Sequence, residues 1–92
     1  MTHEHLAALI AAGEAKKSSD GWMALPEGRS LTLYAAAGQS TLTISRVQAV
    51  RHDGALLYAR TIKSELFILA LEDVFAGSLD APASVGKKAG FL

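Results

Sequence analysis

Three histidines, nine acidic side chains and a scatter of hydroxyls are the chain's raw material for chemistry, because it contains no cysteine. That absence excludes a disulfide framework, thiol catalysis and cysteine-ligated zinc. His3-Glu4-His5 is the one clustering of metal-capable side chains. On a helix, residues i and i+2 point about 200° apart, so the two imidazoles cannot chelate one ion together. With no third ligand nearby in sequence, the triplet reads as the solvated start of a helix, and no metal is expected.

His52 and the serines do not make a hydrolase signature. No G-x-S-x-G elbow occurs, and Asp53 beside His52 is accounted for by a turn. Glu72-Asp73 reads as a pair of helix-dipole partners rather than an acid–base couple. Gly86-Lys87-Lys88 lacks both the upstream glycine of a phosphate loop and the hydroxyl residue that follows its lysine. No G-x-G-x-x-G is present, so no nucleotide cofactor is expected. The residues give no catalytic constellation, and the chain is read as a non-enzyme.

Charge says more than any motif. The formal net charge is zero, but the signs are segregated along the chain. Residues 29 to 64 carry Arg29, Arg46, Arg51, Arg60 and Lys63 against Asp53 alone, whereas residues 65 to 80 carry Glu65, Glu72, Asp73 and Asp80 with no cation. Arg51, Tyr58 and Arg60 fall on one face of an expected hairpin, and Arg46 lies just before it. These four are the candidate binding residues. An arginine pair with an interleaved aromatic suits phosphates and bases. Arginine stems equally cover apolar surface, or pair with the acidic segment. The leading reading is a small interaction protein, regulatory or accessory, that binds a partner protein through a sheet surface. The alternative is a nucleic-acid-binding small β-barrel using the basic hairpin face.

The elements that must position these residues follow from periodicity. Leu6, Leu9, Ile10 and Gly13 recur at helical spacing, predicting a helix from His3 to Lys17 with Thr2 as its cap and the lysines at its negative end. From Trp22 the period becomes two. Strands are expected over Trp22–Leu25, Ser30–Ala36, Thr41–Arg51, a segment after Asp53-Gly54, and Leu66–Leu71. Within Thr41–Arg51 the apolar phase slips from even (Leu42, Ile44) to odd (Val47, Ala49), which predicts a bulge near Ser45-Arg46. Asp53-Gly54 predicts a type I′ turn, placing His52 opposite Ala55, Arg51 opposite Leu56 and Ala49 opposite Tyr58. A second turn is expected around Lys63-Ser64-Glu65.

The expected fold is α+β and β-rich: an N-terminal helix, five short antiparallel strands in meander order forming a small barrel or strongly curved sheet, and a short helix carrying Val74, Phe75 and Leu79. In element order alone this resembles small barrels such as the SH3-like and Sm-like folds. Residues 1 to 80 form the expected single domain and residues 81 to 92 a flexible tail. No apolar run approaches 18 residues and no basic leader precedes the first helix, so no membrane association and a cytoplasmic location are expected. The strand residues are apolar on both faces, with Leu57, Leu66 and Ile68 expected on one and Leu56, Tyr58, Phe67 and Leu69 on the other. Two apolar faces need two covers, which predicts a homodimer.

Overall fold

In the computed structural model, residues 1–80 are described; the tail expected over residues 81 to 92 lies outside them. Helix α1 runs from His3 to Ala12, and the Thr2 side chain accepts a hydrogen bond from the His5 backbone N–H at 3.1 Å, as a cap should. The helix stops five residues earlier than its apolar spacing predicts. Gly13 sits where a Cβ would stand 2.6 Å from Leu25 Cδ2 and 2.9 Å from Leu79 Cδ2. Glu14 then takes a left-handed φ of 60°, and the Ala15 N–H donates to the Ile10 carbonyl at 3.1 Å, turning the chain off the axis. Lys16 and Lys17 consequently form a two-residue strand, β1, paired with β2 (Met23–Ala24) rather than the last turn of a helix.

The remaining strands are β3 (Ser30–Ala37), β4 (Ser40–Asp53), β5 (Leu56–Thr61), β6 (Leu66–Ala70) and β7 (Val74–Asp80). Leu71–Asp73 is a single turn of 3₁₀ helix between the last two. All pairings are antiparallel, in the lateral path β6, β5, β4, β3, β7. Strands β2 and β3 follow each other along one edge of β4, whose other edge pairs with β5. Three expectations are corrected here. There are seven strands, not five, because β1 and β7 lie in segments read as helix. The order is not a meander, since β7 returns to β3, with Asp80 accepting hydrogen bonds from the Ser30 and Thr32 hydroxyls. The segment read as a helix over Val74–Leu79 is strand, and β6 does not pair with β7, so the sheet is curved but not closed into a barrel.

The bulge in β4 falls where the phase slip put it. Pairing steps irregularly between Leu31–Val47 and Leu33–Ile44, and Arg46 adopts φ 58°. The extra residue rotates the two halves of β4 so that Ile44 and Val47 both face inward. The core on that inner face comprises Leu31, Leu33, Ile44, Val47, Leu57 and Val74, all buried, with Leu6 of α1 and Leu25 laid over it. Each such side chain contributes roughly 1.5–3 kcal/mol of transfer free energy.

The hairpin between β4 and β5 turns one residue later than expected. Asp53 opposes Leu56, so Gly54 and Ala55 are the central pair. Only Gly54 has positive φ, at 60°, which is the II′ pattern rather than I′. Each cross-strand partner moves by two residues: Arg51 opposes Tyr58 and Ala49 opposes Arg60. Because the pleat repeats every two residues, the candidate site keeps its face.

Candidate functional site

The outer face of β4, β5 and β6 carries three of the four candidate residues. Tyr58 lies between Arg51 on β4 and Ile68 on β6, and Arg60 between Ala49 and Leu66. The Arg51 guanidinium carbon stands 5.1 Å from the centre of the Tyr58 ring. Arg51 also reaches Asp53 at 3.7 Å across exposed surface, a contact of about 0.2–1 kcal/mol. Arg60 is stacked over Trp22, 4.6 Å from the ring centre. Two cation–aromatic stacks thus stand side by side, each adding about 0.5–1 kcal/mol at an exposed site. Beside them Leu56, Leu66 and Ile68 are 40%, 54% and 55% exposed, so the surface joins two arginines, two rings and three aliphatic side chains.

Arg46 is not part of this surface. It is exposed on the β4 bulge and lines a separate cleft with Lys63, Glu65 and Phe67. Trp22 is the member that sequence reasoning missed. It reads as the head of a short strand, and its partner was not legible because β2 borders β4 instead of the strand that follows it. Leu66 and Ile68 were placed on the face of Leu57, but they oppose Arg60 and Tyr58. A strand that is apolar on both sides carries no phase, so only the β5–β6 turn decides which way it faces.

Trp22 is held in place by a small turn. The Ser18 hydroxyl donates both to Asp20 and, at 3.1 Å, to the Trp22 carbonyl, and the Trp22 N–H donates to Asp20 at 3.2 Å. The Ser18 hydroxyl, followed by the Trp22 N–H, holds the Asp20 carboxyl below its ordinary value of 3.8, with Arg60 adding a smaller pull. The folded state therefore favours ionised Asp20. This contribution is present above the ordinary value and lost as pH falls below it towards the depressed folded value. The chain's single tryptophan reports on the turn. Trp22 emission is expected to stay flat from neutral pH to about pH 4 and to change below that, while Asp20→Asn shows no such acid transition. An acid titration followed by fluorescence checks this, and identical curves for both proteins would refute it.

At the far end of the hairpin His3 and His52 meet edge-on, ring centres 4.2 Å apart, and His52 Nε2 lies 2.7 Å from the Gly54 carbonyl oxygen. Among the described residues, no group of three or more His, Asp or Glu side chains is placed to hold a metal ion. No helix among them is long and apolar enough to cross a membrane. Comparison with protein-family models, curated proteins and solved structures gives no match. The functional reading therefore rests on the surface itself.

Proposed function

We propose that this chain is a small interaction protein without a catalytic role, and that it binds a protein partner through the free edge and outer face of β6. The observation that carries the proposal is a margin strand of sequence Leu-Phe-Ile-Leu-Ala, which among the described residues has no pairing partner beyond β5 and has Leu66 and Ile68 more than half exposed. Sheet margins are ordinarily blunted by lysine, proline, a bulge or a covering segment. The opposite margin has such a device: β7 is bulged between its Ala76 and Val74 pairings and ends on Asp80. Strand β6 has neither charge nor proline nor bulge.

A second copy is the simplest partner. Two β6 strands pairing about a two-fold axis would bury Leu66 and Ile68 of both copies and satisfy both rows of free backbone groups. Size exclusion with light scattering at micromolar concentration is expected to give twice the 9.7 kDa chain mass. Ile68→Lys should return the mass to one chain with the circular dichroism spectrum unchanged, because the side chain is exposed in the single chain. A wild-type mass of 9.7 kDa throughout the micromolar range would remove the self-pairing.

The two cation–aromatic stacks favour a second reading, single-stranded nucleic acid binding through Arg51, Tyr58, Arg60 and Trp22. Phosphate binding by two arginines weakens steeply with salt, whereas β6 pairing does not. Retention on immobilised single-stranded DNA that weakens steeply with salt and is lost in an Arg51→Ala, Arg60→Ala double variant would support this reading. No retention at any salt, or retention that the double variant keeps in full, would leave the protein-partner reading in place.

A further inference from the structure

We propose that the cleft at the β4 bulge binds a small amphiphilic monoanion, with a carboxylate head on Arg46 and Lys63 and an apolar body over Ile44 and Phe67. The cleft has a volume of about 370 Å³ and is lined by these four residues with Ser45, Thr61 and Glu65. Phe67 lines it from the inner face of β6, whereas the interaction surface takes the outer-face side chains Leu66 and Ile68 of that strand. Its floor is apolar, because Ile44 is buried and Phe67 shares the inner face of the sheet with buried Ala59. Its rim is charged. Among the described residues, the ion pairs join Arg29 to Glu14 and Arg51 to Asp53, so neither Arg46 nor Lys63 has a carboxylate partner.

The site is framed before any ligand arrives. The buried Thr61 hydroxyl accepts from the Lys63 N–H at 3.3 Å and the Glu65 N–H at 3.2 Å, and donates to Glu65 Oε1 at 3.2 Å. Glu65 is thereby tied back onto its own turn. The Ile62 N–H donates to the Arg46 carbonyl at 3.0 Å, clamping the bulge to the same turn. With two cations against one carboxylate, the lining carries a net charge of +1, which a monoanion neutralises.

Backbone conformation points the same way. Arg46 and Ser64 both hold left-handed φ values, 58° and 65°, in the two segments that form the rim. Glycine takes that conformation without strain, whereas a long side chain there is disfavoured, and such residues cluster at binding sites. A glycine at position 46 would fold at least as well. The arginine adds only its guanidinium.

The test is a titration of the ¹⁵N-labelled full chain with sodium octanoate, followed by amide shifts. Saturable shifts are expected at Ser45, Arg46, Lys63 and Glu65. Acetate, which has the head without the tail, should bind about ten-fold or more weaker, and octylammonium should not bind there. Arg46→Gly and Lys63→Gln should each weaken octanoate about ten-fold or more, with the Arg46→Gly melting temperature unchanged or raised, so that lost binding is not lost folding. Absence of saturable shifts by about 10 mM octanoate, equal binding of octylammonium or acetate, or full binding by both variants would each overturn the proposal.

Discussion

Leu33→Ala is expected to destabilise the protein by about 2–5 kcal/mol, towards the upper end of that range. Leu33 is fully buried at the centre of β3, opposite Ile44 on β4 and Gly77 on β7. The cost of truncating a buried leucine depends on how far its neighbours collapse into the space left behind. Here one neighbouring position has no side chain to contribute. A Cβ at Gly77 would stand 2.5 Å from Leu9 Cδ2 and 3.4 Å from Leu33 Cδ2, so α1 and Leu33 already fill the volume over the glycine. The backbone on both sides is fixed by pairing, and the cavity stays open. Small domains have only about 5–15 kcal/mol of net stability, so this variant should lose much of its margin in urea. A midpoint shift worth less than about 1 kcal/mol would mean that Leu33 is not at the centre of the core.

The second large effect is expected at the β4–β5 turn. Gly54→Val should destabilise by more than about 1 kcal/mol without touching anything, since a Cβ at Gly54 meets no atom within 4 Å. The cost is conformational: φ of 60° at this position excludes a β-branched residue. Asparagine tolerates left-handed backbone better, so Gly54→Asn should lose less, and the order of thermal midpoints (wild type, Asn, Val) checks the mechanism. Arg51 and Tyr58 sit across this hairpin, and a turn forced to slip by one residue would part them, taking the surface with it.

How much of this was legible in the sequence depends on whether the information is local. The bulge at Arg46 was readable because it leaves a mark inside one strand, a switch of apolar phase between Ile44 and Val47. The β4–β5 turn was readable to within one residue, since Asp-Gly suits either I′ with both residues central or II′ with glycine leading. Strand β7 was misread as helix for a definite reason. The irregular step in its pairing breaks the alternation, so Val74, Phe75 and Leu79 show no strand period. The acids at Glu72 and Asp73 reinforced the wrong reading, although here they open only a single 3₁₀ turn. Of the candidate site, Arg51, Tyr58 and Arg60 were found together because parity within a hairpin survives a turn that moves by one residue. Trp22 and the facing of Leu66 and Ile68 depend on which strands meet, and a single chain does not spell that out.

The brevity of the link between β6 and β7 has a consequence for the shape of the whole sheet. Ala70, the last residue of β6, is aligned through Leu56 with Asp53 of β4; Val74, the first of β7, is aligned through Ala35 with Leu42 of the same strand. Laid out flat, those two points would be separated by four strand spacings, about 19 Å, and by eleven residues of β4, about 36 Å. Yet Ala70 and Val74 are joined through Leu71–Asp73 alone, a tether that spans at most about 14 Å when fully stretched. No flat or gently twisted sheet satisfies both conditions. Connectivity itself therefore forces the sheet to curl, bringing the end of β6 towards the start of β7, and Leu6 and Leu9 pack into the core on its inner side.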